Sequence, residues 1–167
     1  MSQLNRVVLT LMPVLALAAC SGNSAPDAQT SPETAPSADS AEASPTQVVE
    51  NHVEAMKTGD LSAIMSDYAD DAVVIAPEGL VKDQMPATGP GVFSGAEDAK
   101  RVFATLTAPD NLDAIKSMET RVEPKGEDVA FLYWTQFKGQ PNEVSGRDVF
   151  VVRNSKVVFQ DIIPDTK

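Results

Sequence analysis

The sequence predicts an α+β fold in which helices come first along the chain and antiparallel strands come last. Apolar side chains at Val48, Val53 and Met56 recur at helical spacing near the start of this pattern. Far downstream, residues 129–137 form a continuous apolar run of strand length. Two further apolar runs flank the dipeptide Asn154-Ser155, which indicates a hairpin near the C-terminus.

The first helix has a clear start and end. Ser44, Pro45 and Gln47 fit a capping box, with Ser44 as the N-cap, Pro45 at the first helical position and Gln47 reaching back. Gly59 suits the left-handed position just past a helix end, and Asp60 can cap the amides of a second helix. We therefore expect two consecutive helices.

The next elements are a strand, a long loop and a third helix. Asp70-Asp71 is expected to end the second helix, and residues 72–76 are β-prone up to Pro77. Three glycines and two prolines within 78–93 exclude regular structure there and indicate either a lid or rim of a binding site or a simply mobile loop. A second capping box over 94–97 opens a helix with apolar residues at i, i+3, i+4 and i+7.

From residue 109 the pattern predicts strands. Residues 114–123 are moderately β-prone, and 124–128 form a turn before the long apolar strand 129–137. The last hairpin is expected to pair 147–153 with 157–163.

The N-terminus has the pattern of an export signal. Arg6 precedes an apolar run that is too short to span a bilayer, and the run ends in Leu-Ala-Ala-Cys20. This end resembles a bacterial lipobox, which implies cleavage after residue 19 and a lipid on Cys20. Ser21 after the cysteine further implies an outer-membrane location facing the periplasm. An ordinary secretory peptide with a nearby cysteine is the alternative.

We divide the chain into three parts. Residues 1–19 are the signal peptide, and residues 20–44 are the lipidated Cys20 followed by a disordered tether rich in Ala, Ser and Pro. Residues 45–167 have the length of one domain. The formal net charge of -11, without a basic cluster, argues against nucleic acid as a partner. With one histidine and one cysteine, and without a nucleotide loop, we expect neither metal nor cofactor.

The order of elements from Ser44 to Pro77 resembles the opening of the nuclear transport factor 2-like superfamily. That resemblance implies three N-terminal helices packed on a curved antiparallel sheet, which together form a cone with an internal cavity. The superfamily includes ketosteroid isomerases, SnoaL-like polyketide cyclases, dehydratases, and domains that only bind or assemble.

His52 and Asp148 are the candidate catalytic residues. His52 lies on the apolar face of the first helix, and alternation places Asp148 on one face with Phe150. The resemblance places His52 where ketosteroid isomerases have an oxyanion-hole tyrosine, and Asp148 on the strand of their protonated aspartate. The alternatives are a core histidine with one hydrogen-bond partner, and an aspartate at the strand mouth that pairs with Arg147, Arg153 or water.

Four further residues are candidate ligand contacts: Trp134, Gln136, Phe150 and Tyr68. Trp134 and Gln136 share one face of the long strand, and Phe131, Tyr133, Thr135 and Phe137 share the other. One face should line the cavity and the other should be the outer surface, which in this superfamily often pairs two protomers. The sequence alone does not distinguish them.

Three functions stay open at this point. The first is a lipid-anchored envelope domain that binds a small hydrophobic or amphipathic molecule without known catalysis. The second is an isomerase, cyclase or dehydratase with His52 and Asp148 as the acid/base pair. The third is a homodimer or interaction module that uses the outer sheet face. Ketosteroid isomerase chemistry is not expected, because Ala76 stands where those enzymes have their general base.

Overall fold

The structure is a computed structural model that describes residues 42–86 and 88–166. The predicted signal peptide, Cys20 and nearly all of the tether lie outside these residues. The described part of the chain contains four helices and six strands. In order they are α1 (Pro45–Thr58), α2 (Leu61–Ser66), β1 (Tyr68–Ala76), β2 (Gly91–Ser94), α3 (Ala96–Leu106), α4 (Pro109–Lys116), β3 (Glu119–Pro124), β4 (Val129–Gln136), β5 (Val144–Arg153) and β6 (Lys156–Pro164).

The strands form one curved sheet in the order β2-β1-β6-β5-β4-β3, with the helices packed against it. The predicted α+β class is therefore confirmed. Neighbouring strands pair antiparallel except β1 and β6, which are parallel, so the sheet is mixed. The predicted hairpin joins β5 to β6, and Asn154 and Ser155 at its turn have φ values of 50° and 59°. Positive φ at both positions is the geometry of the turn that suits twisted strands.

Ser44 and Asp60 are the N-caps of the first two helices, as predicted, although the Gln47 side chain makes no observed bond back to Ser44. The Ser44 hydroxyl accepts a hydrogen bond from the Gln47 backbone N–H at 3.3 Å. Gly59 ends α1 with a φ of 73°, in the left-handed region that glycine enters without a steric penalty. The Asp60 carboxylate accepts from the backbone N–H groups of Ser62 and Ala63 at 2.9 and 3.1 Å.

The structure corrects two boundaries around β1. This strand begins at Tyr68, so Asp70-Asp71 lies within it and does not end a helix. Both aspartates are tolerated because the pairing with β6 shifts register between Tyr68 and Val73 and leaves them exposed. The segment 78–93 is also not entirely irregular: β2 occupies its end and pairs with β1, so the long loop is 77–90.

Two predictions about the middle helices are wrong. Ser94 ends β2, and α3 begins after Gly95 without a side-chain cap, so the second capping box does not form. Residues 109–116 are helical, and the strand predicted from 114 begins only at Glu119. Pro109 at the first helical position and Lys116 in the last turn both favour a helix, and the buried Ile115 fixes it to the core.

The core lies between the helices and one face of the sheet. Val49 of α1, Val102 and Phe103 of α3, Val74 of β1 and Phe150 of β5 are all fully buried there. Alternation along β1 and β5 sends every second side chain into this core, so the same rule decides which polar residues of these strands face inward.

Candidate functional site

A cavity of about 170 Å³ lies between α1, α3, α4 and the inner face of the sheet. Most of its wall is apolar, with Val53, Met56, Phe103, Ile115, Leu132 and Ile162 among the lining residues. Pro77 and Leu80 of the long loop also reach it. Five polar side chains share this wall: His52, Trp134, Gln136, Asp148 and Gln160. The cavity therefore has an apolar body and a small number of polar groups, which is the usual composition of a ligand site.

Asp148 is the centre of the polar corner. Its side chain points inward from β5 and is 6% exposed. Trp134 donates from Nε1 to Oδ1 of Asp148 at 2.8 Å, and Gln160 donates from Nε2 to Oδ2 at 2.7 Å. Tyr68 in turn donates from its hydroxyl to Oε1 of Gln160. In the structure Asp148 therefore faces the cavity, and the alternative of an aspartate at the strand mouth paired with an arginine is not observed.

Gly146 makes the contact between Trp134 and Asp148 sterically feasible. Trp134 pairs with Gly146 across the β4–β5 ladder, and Asp148 is two residues further along the same face. A Cβ atom at position 146 would lie 2.4 Å from the Trp134 ring and 2.6 Å from the Ile163 carbonyl oxygen. Because glycine leaves this space empty, the indole lies across its partner strand and its N–H reaches the carboxylate.

Burial raises the pKa of Asp148 from its ordinary value to about 7. Desolvation is the main cause, since the charged form loses water that the apolar wall does not replace. The hydrogen bonds from Trp134 and Gln160 oppose this effect, because both stabilise the carboxylate, while the charge of Asp161 raises the pKa slightly further. Asp148 is therefore a carboxyl that exists in both protonation states near neutral pH.

His52 lines the same cavity from α1, but its environment is aromatic. Its ring meets those of Tyr68, Phe103 and Phe150 edge-on, at centroid distances of 5.4, 5.4 and 5.6 Å. Burial lowers the pKa of His52 to about 4, so the imidazole is neutral at pH 7. Its Nδ1 atom is buried and has no hydrogen-bond partner within the described residues. The interpretation of His52 as a core histidine with one satisfied partner therefore does not fit this atom.

The other predicted contacts divide into two groups. Gln136 and Trp134 line the cavity, which identifies their face of β4 as the inner one. Phe150 and Tyr68 do not line it, and we correct their role from ligand contact to support. Phe150 is fully buried against His52, and Tyr68 orients Gln160 from behind the wall. Ala76, where a general base is missing, is also fully buried.

Three residues of this region were missed or left without a role by the sequence analysis. Gln160 had no predicted role, because its orientation depends on the register of β6 against β5. Gly146 gave a usable signal, since an isolated glycine inside a strand indicates a close approach. Gln84 is buried in the long loop, where it donates to the Gly89 carbonyl at 2.9 Å and restrains this part of the cavity rim.

The described residues contain neither a metal-binding cluster nor a membrane-spanning helix. No group of three or more His, Cys, Asp or Glu side chains in 42–86 and 88–166 is arranged to hold a metal ion. Within the same residues, none of the helices has both the length and the apolar character needed to cross a membrane.

Comparison with solved structures identifies the same fold in several proteins. A protein from Sphaerobacter thermophilus has a TM-score of 0.55 and 14% identity, over 74% of this chain and 98% of that one. An NTF-2 like protein from Burkholderia xenovorans has a TM-score of 0.51 and 19% identity, over 72% of this chain and 81% of that one. TerC, co-crystallised with polyporic acid, has a TM-score of 0.50 and 15% identity, over 71% and 88% of the two chains.

Sequence comparison assigns the family. No curated protein matches this chain significantly. The sequence profile of the SnoaL-like domain, however, matches residues 49–160. This match runs from α1 to the middle of β6 and includes His52, Trp134, Asp148 and Gln160. The predicted resemblance to this superfamily is thereby confirmed for the domain, and the chain belongs to the SnoaL-like domain family.

Proposed function

We propose that this domain binds a small, mostly apolar molecule in its cavity, with one polar group of the ligand at Asp148. The observation that carries the proposal is a buried carboxyl whose two oxygens are each fixed by a protein donor at the wall of an apolar cavity. A carboxylate in such a place costs stability compared with an apolar side chain of similar volume. This cost is understandable where the group contacts a ligand.

The support for Asp148 extends into the fold. Trp134 and Gln160 come from the two strands that flank β5, and Tyr68 from β1 behind them fixes the Gln160 amide. Three side chains from three strands thus hold the Asp148 carboxyl in one orientation. Preorganisation of this kind lowers the entropic cost of ligand binding. A neighbour of the same fold was co-crystallised with polyporic acid, which agrees with small-molecule binding.

Retention of a ligand through purification is the test. Native mass spectrometry of the full chain should reveal an adduct on each protomer, with a mass below that of a lipid. Ile162→Phe should reduce this adduct, because residue 162 lines the cavity and a larger side chain fills it. Ile163→Phe is the matched control, since residue 163 faces the opposite side of the sheet. Equal adducts in both variants would contradict the proposal.

An enzyme of the SnoaL-like type is the second candidate, and one observation favours it. Asp148 has a pKa of about 7, so it can both donate and accept a proton near neutral pH. The neutral His52 imidazole lines the same cavity and has an unused Nδ1 atom. If the ligand is a substrate, its NMR spectrum should change during incubation with a small amount of protein, and Asp148→Asn should stop the change. An unchanged spectrum would favour binding alone.

The proposal places the domain at the bacterial cell envelope, anchored by a lipid on Cys20. The support is the sequence of residues 6–22, which has the charge, length and terminal cysteine of a lipoprotein signal. Cells fed with an alkyne analogue of palmitate should label the chain, and Cys20→Ser should abolish the label. Labelling of the Cys20→Ser variant would contradict the anchor.

The homodimer through the outer sheet face stays a prediction. Its support is an apolar surface on β1 and β2, where Val92 is 56% exposed and Val73 and Ile75 beside it are half-buried. Sedimentation velocity over a range of concentrations would show a dimer, and Val92→Glu should dissociate it. A monomer at every concentration would refute the prediction.

A further inference from the structure

We infer that the cavity selects its ligand by charge: it takes compact apolar molecules that carry an amine or another hydrogen-bond donor, and it rejects anions. The inference rests on the proposed function, because it names the class of ligand for the same cavity. Its basis is the inventory of charged groups on the wall and the direction of the hydrogen bonds that reach Asp148.

The charged groups of the cavity wall favour a cationic ligand. Asp148 is the one acidic side chain among the lining residues, and neither lysine nor arginine is among them in the described part of the chain. The titratable groups that face Asp148 from the elements around it are His52 on α1 and Tyr68 on β1, and both are neutral at pH 7. Asp161 on β6 acts through the sheet and adds negative charge. The ionised carboxyl therefore has no protein cation beside it.

The hydrogen bonds around Asp148 all run towards its carboxylate. The Tyr68 hydroxyl donates to the Gln160 amide oxygen, which turns the amide nitrogen towards Asp148. The Trp134 N–H is also directed at Asp148. These donors are used within the protein, whereas each carboxylate oxygen keeps a further lone pair. The hydrogen-bonding capacity that remains at Asp148 is thus that of an acceptor, and a hydrogen-bond donor on the ligand would occupy it.

Two aromatic residues, Trp134 and Phe103, line the cavity, and an aromatic ring attracts an ammonium group that lies over its face within about 6 Å. A ligand ammonium would supply the missing counter-charge to Asp148 in a cavity that these two rings line. A ligand carboxylate would instead put a second negative charge next to a buried one, which is unfavourable in a cavity with a mostly apolar wall. Electrostatic steering also favours cationic ligands, because the chain carries a formal net charge of -11.

Three probes of nearly equal size and different charge test the inference. Benzylamine is cationic at pH 8, benzyl alcohol is neutral and benzoate is anionic. Trp134 is the single tryptophan of the chain and lies at the cavity wall, so its fluorescence reports binding directly. With the full chain at pH 8, we expect benzylamine to bind at least about tenfold more tightly than benzoate, with benzyl alcohol between them.

Two substitutions and a change of pH test whether the charge of Asp148 causes this preference. Asp148→Asn should reduce the ratio of benzylamine to benzoate affinity to near one. Asp161→Asn removes the same charge from the outer face of the sheet and should keep most of the preference. Lowering the pH of the wild-type solution from 8 to 5 should also reduce the preference, because Asp148 becomes protonated. The pH series needs no variant, so the test holds even if Asp148→Asn folds poorly.

The two possible failures are distinct. If benzoate binds the wild-type chain as tightly as benzylamine, the charge selection is refuted while small-molecule binding stands. If none of the three probes changes the Trp134 fluorescence or gives heat on titration, the cavity does not accept small apolar molecules, and both proposals fail.

Discussion

The two faces of the sheet use the same residue types for different purposes. Asp148 on the inner face is buried, takes two hydrogen bonds and has a pKa of about 7. Asp161 on the outer face of the adjacent strand is only partly buried, and Arg147 opposes the rise in its pKa. The pKa of an aspartate in this sheet therefore depends on which face it occupies and on the dielectric environment there, and not on the residue type alone.

Aromatic residues of β4 show the same contrast. Trp134 faces the cavity and directs its N–H at a carboxylate. Its neighbour Tyr133 faces outward, where the Arg121 guanidinium lies 4.2 Å from its ring centroid. Arg121 also pairs with Glu123 on the same exposed surface. The contacts of Arg121 on the outer face are solvated and contribute little energy. The hydrogen bond from Trp134 on the inner face instead fixes Asp148, a carboxyl at the cavity wall.

The largest expected effect comes from truncating a phenylalanine on each face. Phe150→Ala should destabilise the fold by about 3–5 kcal/mol, because it leaves a void beside His52 in a fully packed region. Phe159→Ala on the outer face should cost about 1 kcal/mol, because that side chain is only half-buried. Urea denaturation of the two variants measures the difference. Equal losses of unfolding free energy would contradict the difference in packing between the two faces.

The second effect concerns the pH dependence that Asp148 introduces. Its folded pKa of about 7 lies above the ordinary value near 3.8, so the folded state binds its proton more tightly than the unfolded state. The stability that this group contributes is present below about pH 4 and is lost as pH rises to about 7. Compared with wild type, Asp148→Asn should therefore gain stability over this range, by up to about 4 kcal/mol.

Denaturation at several pH values between 4 and 8 measures this gain. Asp161→Asn is the control, and its stability difference from wild type should change less with pH. His52 acts in the opposite direction, because its lowered pKa of about 4 makes stability fall as pH decreases through 6.5 to 4. The two contributions nearly cancel in the wild-type chain, so the comparison between variants is needed. A stability difference between Asp148→Asn and wild type that does not change with pH would contradict the burial of an ionisable group.

The third effect is steric. Gly146→Ala should cost about 1–3 kcal/mol, because the new Cβ overlaps the Trp134 ring and the Ile163 carbonyl. It should also displace the indole and shift the Trp134 fluorescence spectrum. Ser145→Ala, one residue earlier and half-buried, removes a hydroxyl that donates to Asp165; it should cost about 1 kcal/mol or less and leave the spectrum unchanged. Identical spectra for Gly146→Ala and wild type would show that the glycine does not position Trp134.

The smallest effect should come from Arg121→Ala. It removes a stack on Tyr133 and a pair with Glu123, but both lie at an exposed edge of the sheet where solvent screens them. The thermal midpoint should change least of the series, and probe binding at Trp134 should be unaffected. A loss of probe binding would mean that the outer face contributes to the cavity.

Much of the fold follows from local sequence rules. The caps at Ser44 and Asp60 and the turn at Asn154-Ser155 depend on a few adjacent residues, and each forms as predicted. The eight-residue helix α4 was missed because its short apolar pattern also fits a strand, and contacts with the core decide between the two. The parallel pairing of β1 with β6 joins distant parts of the chain, which no local pattern specifies.

The site was predictable only in part for a similar reason. Alternation was enough to group Asp148 with Phe150, and Trp134 with Gln136, on common faces. It could not say which face was inner, because β4 is apolar on both sides. Nor could it predict that Gln160 and Trp134 converge on Asp148, since this depends on the diagonal register of three strands.

Carbon-13 NMR of labelled aspartate side chains in the full chain tests whether a ligand binds at Asp148 on the inner face of the sheet. The carboxyl resonances of Asp148 and Asp161 should be followed during a titration with benzylamine at pH 8. We expect a saturable shift of the Asp148 resonance, with the Asp161 resonance nearly unchanged. A shift of Asp161 and other surface carboxyls, with Asp148 unaffected, would show that the inner face does not bind the ligand and would contradict the account.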